Sequence, residues 1–155
     1  MTDFVVARYF YFDAIHAIAV HDWIIESSGG LAGIKDIGQI DSPLEHIQND
    51  FYYPELEDKL TRLVFSINKN HVFNDGNKRS SLALGAYFLE LNGFDYLVQR
   101  FVIEMENIVV WVADNVIDKT LLQQIICSIL YEDDYSEALK LAMFEAIQEA
   151  EKFKN

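Results

Sequence analysis

His71-Val72-Phe73-Asn74-Asp75-Gly76-Asn77-Lys78-Arg79-Ser80-Ser81 places a potential base, a carboxylate, a glycine, an amide and two cations between two stretches of helical periodicity. Helical spacing resumes at about Asn77, so the loop empties into a helix start. Backbone N–H groups and the positive end of the helix dipole therefore point into it. That arrangement suits an anion, phosphate above all. Lys78 supplies a compact charge and Arg79 a planar fork for two phosphate oxygens, while the Asp75 carboxylate is of the type that hard cations seek.

The stretches on either side read as helices. Upstream, residues 55–68 carry Leu56, Leu60, Leu63, Val64 and Ile67 on one face. Downstream, residues 77–91 carry Leu82, Ala86 and Leu89, closed by Asn92-Gly93. Further out, Ile15, Ile18, Val20, Trp23 and Ile25 mark an amphipathic helix over about 10–27, ended by Gly29-Gly30. Asp41-Ser42-Pro43-Leu44-Glu45 reads as the start of a short helix, with a capping side chain and proline in the first turn. Phe51-Tyr52-Tyr53 reads as extended. Three further helices follow: about 99–116, 119–130 behind the cap candidate Asp118, and an amphipathic tail over 135–152 with Leu139, Ala142, Met143, Ala146 and Ile147 apolar. Four of the seven glycines (Gly29, Gly30, Gly33, Gly38) crowd one loop. The expectation is an all-α bundle with at most one small β-hairpin.

The chain has 155 residues, enough for one domain with a sizeable core, and shows no repeat or linker-like shift. We read it as a single domain, with a core over about 10–125 and a helical extension over about 126–155. Lys+Arg 12 against Asp+Glu 25 gives a net charge of −13, which argues against a nucleic-acid surface. Against that background Lys59, Arg62, Lys69, Lys78 and Arg79 fall within 21 positions where Asp75 is the sole acid, so a compact anion site is expected. No apolar run approaches the ~18 residues of a membrane span. The N-terminus lacks the basic-then-apolar layout of a signal peptide. A single cysteine, Cys127, excludes an intramolecular disulfide and a multi-cysteine metal site. A cytoplasmic location is the expectation.

The quoted segment resembles the signature of the Fic/Doc family: a histidine, a phenylalanine two on, an acid, a small residue, then Asn and a basic pair. The adenylylating branch ends Gly-Asn-Gly-Arg with a further arginine three residues on. Here the motif reads Gly76-Asn77-Lys78-Arg79, with Leu82 in place of that arginine. This is similar to the Doc branch, the death-on-curing toxins of toxin–antitoxin modules. Ala19-Val20-His21-Asp22 and Gly29-Gly30-Leu31-Ala32-Gly33 extend the likeness upstream.

The resemblance implies a general base at His71, which takes the proton of a target hydroxyl, and a Mg²⁺-holding acid at Asp75. It implies phosphate contacts from Gly76, Asn77, Lys78 and Arg79, with Lys69 as a further candidate. Phe73 would anchor the loop in the core, and Phe51, Tyr52 and Tyr53 would form a flap that docks target peptide by strand addition. Lysine in place of the second glycine implies that ATP binds reversed and gives up its γ-phosphate. The implied activity is Ser/Thr phosphorylation of a protein, with elongation factor Tu as candidate target, inhibition of translation and a separate antitoxin as partner. Gly76, where Doc proteins usually carry alanine, keeps AMP transfer open as an alternative, and an inert interaction module is a third. Ser128-Ile129-Leu130-Tyr131-Glu132-Asp133 nearly matches the self-inhibitory helix motif of some Fic proteins, but with the wrong last residue. Outside the motif, His16 and His21 read as structural, His46 as a surface residue, Glu132-Asp133-Asp134 as a solvated turn and Cys127 as a buried thiol.

Overall fold

The computed structural model describes residues 9–154; the residues behind the leader reading, 1–8, lie outside it. It is all-α. The helices are α1 (Ala14–Ser28), α2 (Gly38–His46), α3 (Leu56–Lys69), α4 (Asn77–Leu91), α5 (Val98–Ala113), α6 (Lys119–Tyr131) and α7 (Glu137–Lys152). Among the described residues no helix is long and apolar enough to cross a membrane.

α3 lies at the centre and packs against α2, α4, α5 and α6. All five apolar positions read from its sequence are buried. Its start is fixed by a reciprocal capping box: the Glu55 side chain takes a backbone N–H at Asp58, and Asp58 Oδ2 accepts from Glu55 N at 3.0 Å. At α6, Asp118 Oδ1 accepts from Leu121 N at 2.8 Å, so this cap is where the sequence placed it. α7 is more loosely attached. Only Leu139 on it is buried, while Leu141 and Phe144 stand exposed.

Four sequence expectations are corrected. The first helix begins at Ala14, capped by Asp13, and its buried face is Ala14, Ala17, His21 and Ile24. Ile15 and Trp23, read as part of the apolar stripe, are exposed. α2 begins at Gly38 rather than at the Asp41–Pro43 signal, and Pro43 lies inside the helix with its ring buried. As the sixth of nine helical residues it lies past the first turn, so the helix forgoes the bond that an N–H there would make to Gln39 O.

Phe51, Tyr52 and Tyr53 form turns, not a hairpin, and no strand occurs among the described residues. Asn49 dictates this, since its Oδ1 accepts from Phe51 N (2.9 Å) and Tyr52 N (3.2 Å) and curls the backbone into an Asx turn.

The fourth correction concerns Lys59, counted above in an anion site. Its side chain is fully buried, with Nζ donating to Ile47 O (2.6 Å) and Asp50 Oδ1 (2.7 Å) beside the rings of Tyr9 and Tyr11. It pins the α2–α3 connection and faces away from the motif.

Candidate functional site

The motif loop joins α3 to α4 and is held by partners distant in sequence. Phe73 is fully buried, and the His21 ring stacks on it at 3.7 Å between centroids and 5° between planes. His21 is itself fully buried, with Nε2 2.7 Å from the Asp75 carbonyl oxygen. A carbonyl only accepts, so Nε2 carries the proton. Sequence reading took His21 as merely structural; its place in the Ala14/Ala17/His21/Ile24 stripe was the signal for its role under the loop.

Alongside runs the glycine loop. Lys35 N donates to Val72 O (2.8 Å) and Asn74 N to Gly33 O (3.1 Å), and Ile34 and Phe73 form an isolated antiparallel bridge. Leu31 N donates to Asp75 Oδ2 at 3.1 Å. Glycine is required at 30: its φ is +125°, and a Cβ there would lie 2.7 Å from Asp75 Oδ2 and 3.0 Å from Arg79 Nη2. The twin glycines thus end α1 and let the backbone lie directly on the site.

Asp75 accepts from backbone on both oxygens, from Leu31 N and from Gly76 N (2.8 Å). These bonds, with Arg79 and His21 nearby, hold its carboxyl below the usual carboxylate range. It is therefore an ionised, oriented oxygen donor of the kind that Mg²⁺ takes alongside phosphate oxygens. Among the described residues no group of three His, Cys, Asp or Glu side chains could hold a metal without such help.

Gly76 caps α4 in the left-handed region (φ 78°, ψ 18°) and brings no capping side chain. Asn77, Lys78 and Arg79 therefore present backbone N–H groups with no intrahelical acceptor. The Asn77 side chain faces elsewhere, with Oδ1 accepting from Phe73 N (3.1 Å) and Nδ2 donating to Phe73 O (3.0 Å). It clasps the loop, and what it offers an anion is its backbone. Lys78 is exposed in the first turn of α4 and forms no ion pair among the described residues. Arg79 Nη1 donates to Ser28 Oγ (2.6 Å) and Gly29 O (2.9 Å), tying α4 to the end of α1.

These residues enclose a cavity of about 230 Å³ lined by His71, Asp75, Gly76, Asn77, Lys78 and Arg79, with Asn68, Asn74 and Ala113 completing the wall. It is smaller than the ~300–1,000 Å³ of pockets that swallow a drug-sized ligand, and fits a phosphate chain better than a whole nucleotide. His71 stands on the rim, exposed, without a hydrogen-bond partner among the described residues and with φ +51°. It follows Asn70, the C-cap of α3, where a left-handed residue ends the helix and glycine is the usual choice.

Asn68 was missed in the sequence. It is buried, donates to Val109 O at 2.9 Å, and keeps Oδ1 without a partner. A polar residue beside Ile67 on the buried side of α3 was its only trace.

Two candidates lie apart. Lys69 does not line the cavity; its Nζ donates to Ala113 O (3.4 Å) and to Asn115 Oδ1 at the C-terminal end of α5. Phe51 and Tyr52 are exposed on the α2–α3 turn, and Tyr52 and Tyr53 line a separate hollow. The near match to an inhibitory motif is also elsewhere. Ser128 is buried in α6, and Glu132 faces a cavity with Glu57, Gln123 and Cys127, away from the motif. Cys127 is partly exposed there, and burial and nearby carboxylates push its thiol up. His16 stacks on Tyr87 at 4.4 Å.

Comparison with known proteins agrees with this geometry. Over 80 residues the chain is 38% identical to "Protein kinase doc" of Escherichia phage P1, a match covering 49% of this chain and 63% of the relative. Over 69 residues it is 38% identical to "Toxin Doc" of Mycolicibacterium smegmatis, covering 42% and 53%. The matches thus span roughly half to three-fifths of these curated relatives. Residues 11–89, which contain α1, the glycine loop, the motif and most of α4, match the model of the Fic/DOC family, and the chain belongs to that family.

Proposed function

We propose that this chain is a Doc-like toxin that transfers the γ-phosphate of Mg-ATP to a Ser/Thr hydroxyl of a target protein, with elongation factor Tu the first candidate. The observation that carries the reading is Lys78. An unpaired cation in the first turn of α4 lies at the positive end of the dipole, where a cation is unfavourable by itself. An anionic ligand in the cavity reverses that sign.

Bound there, Mg-ATP supplies the phosphoryl group and a divalent charge. Asp75, ionised and aimed by two backbone N–H groups, is the residue to hold the metal. The amides of Asn77, Lys78 and Arg79 and the Lys78 ammonium face the phosphate oxygens and stabilise charge that develops on them. The Lys78 side chain occupies the space in which a second glycine would admit phosphates close to the backbone, which favours delivery of the terminal phosphate. His71, exposed on the rim with a free imidazole, takes the proton of the incoming hydroxyl. Inhibition of translation and restraint by a separate antitoxin belong to the same reading; the two relatives are named as a protein kinase and as a toxin.

Gly76 favours a second reading. It stands where Doc proteins usually carry alanine, and AMP transfer is the reading that this glycine supports; a Cβ there would meet Ile25 Cδ1 at 3.2 Å, Arg79 Nη2 at 3.4 Å and His21 Cδ2 at 3.5 Å. One assay separates the readings: the protein and its His71→Ala variant are incubated with elongation factor Tu and Mg-ATP labelled at the α- or the γ-phosphate. Label from γ alone, lost in the variant, is expected. Label from α assigns AMP transfer, and no label on any protein of a cell lysate assigns an inert interaction module.

A further inference from the structure

We propose that Arg62, Lys119 and His46 form a docking site for an acidic segment of the protein that this chain modifies. The identity of that protein as a substrate rests on the function proposed above; the affinity for an acidic peptide does not.

α3 and α6 pack together, and Gln123 Nε2 donates to Asp58 Oδ1 at 2.6 Å across them. Arg62 follows Asp58 by one turn of α3 and Lys119 precedes Gln123 by one turn of α6, close enough for the charge of one to act on the other. Their mutual repulsion, together with burial, lowers the Lys119 ammonium from its ordinary value; burial is the larger cause. Arg62 Nη2 lies 3.2 Å from His46 Nδ1, and Arg62 Nε is buried without a partner. Two cations and an imidazole thus converge in a chain of net charge −13.

The carboxylates that could neutralise them are committed elsewhere. Asp58, one helical turn before Arg62, spends Oδ1 on Gln123 and Oδ2 on Glu55 N. Asp118, next to Lys119, caps Leu121 N. Asp50 pairs with the buried Lys59. Among the described residues neither Arg62 nor Lys119 has an ion-pair partner.

Beside this cluster His46, Asn49, Tyr52 and Tyr53 line a hollow of about 390 Å³, wide enough for a side chain and its backbone. Lys69 lies two turns beyond Arg62 on α3, about 10 Å along the axis, and donates to Ala113 O on the wall of the motif cavity. A cationic path therefore leads from the tyrosine-lined hollow to His71. Its charge complements a stretch of glutamate or aspartate, in a chain whose net charge of −13 otherwise disfavours such a peptide.

The test is fluorescence polarisation of labelled hexaglutamate on the whole protein, with Mg-ATP binding measured separately. Wild type should bind hexaglutamate, more weakly as salt rises. The Arg62→Gln/Lys119→Gln pair should weaken it about tenfold, the scale of two partly exposed ion pairs. Lys119→Glu should do the same, and Lys152→Gln at the end of α7 should not. Unchanged binding in the Arg62 and Lys119 variants, an equal loss with Lys152→Gln, or no binding by wild type overturns the proposal. Peptide binding without Mg-ATP binding would overturn the catalytic reading and leave the docking site standing.

Discussion

His71→Gly should make the protein more stable while abolishing phosphate transfer. His71 sits at φ +51° just after the C-cap of α3. A residue with a Cβ costs roughly 1–2 kcal/mol in that region. Glycine removes the cost but loses more conformational freedom on folding, about 0.5–1 kcal/mol. The His71 imidazole is exposed and has no hydrogen bond among the described residues to forfeit, so a net gain of about 0.5–1 kcal/mol remains. For a chain of this size that raises the thermal midpoint by roughly 1–4 °C. His71→Ala keeps the strained Cβ and serves as control, with the same loss of transfer and no gain in stability. Thermal unfolding followed by circular dichroism, run beside the γ-label assay, reads both quantities. A midpoint for His71→Gly at or below that of His71→Ala would refute the argument, because the histidine would then be held by contacts rather than tolerated at a cost.

Three more perturbations follow from the same geometry. Gly30→Ala puts a methyl 2.7 Å from Asp75 Oδ2 and should abolish Mg²⁺-dependent nucleotide binding by calorimetry with only a modest fall in thermal midpoint; binding at the wild-type level would remove the glycine loop from the site. His21→Leu loses the 2.7 Å bond to Asp75 O in a buried place and should lower stability by about 1–3 kcal/mol in urea unfolding, whereas an unchanged midpoint would mean the loop holds itself. Lys59 gives a pH signature. Burial opposes its charge, but the hydrogen bonds to Asp50 and Tyr11 outweigh burial and raise it above a lysine's ordinary 10.5. Its contribution to stability is therefore full below that value and lost as pH rises through the raised one. The alkaline arm of the pH–stability curve should flatten in Lys59→Met; an identical arm in both proteins would count against the buried pair.

Much of this architecture could be read from residue order alone, and the parts that could not share a cause. Asp118, Gly29 and the apolar positions of α3 act through neighbours within a turn or two, so local pattern suffices. Lys59 and Arg79 do not. One is swallowed by a loop and the other reaches back to Ser28, and nothing in their spacing distinguishes either from a solvated cation. Asn77 was read as a phosphate ligand together with its neighbours, yet its amide closes on Phe73. Phe51-Tyr52-Tyr53 carried the composition of a strand, and Asn49 two positions earlier overrode it with a turn. Ile15 and Trp23 misled for another reason: α1 buries small residues and a histidine, which hydropathy alone ranks below the residues it leaves outside.

The motif loop has a consequence for how the protein acquires its activity. Its decisive bonds join residues 44, 50 and 54 positions apart: Leu31 to Asp75, Gly29 to Arg79 and His21 to Asp75. A fragment spanning α3 and α4 would contain every signature residue and still have no site. During synthesis the first helix waits, with its glycines, until α4 has emerged and docked. The site is thus a property of tertiary closure: a chain that has made its helices but not yet joined the first to the fourth holds every signature residue and no finished motif loop.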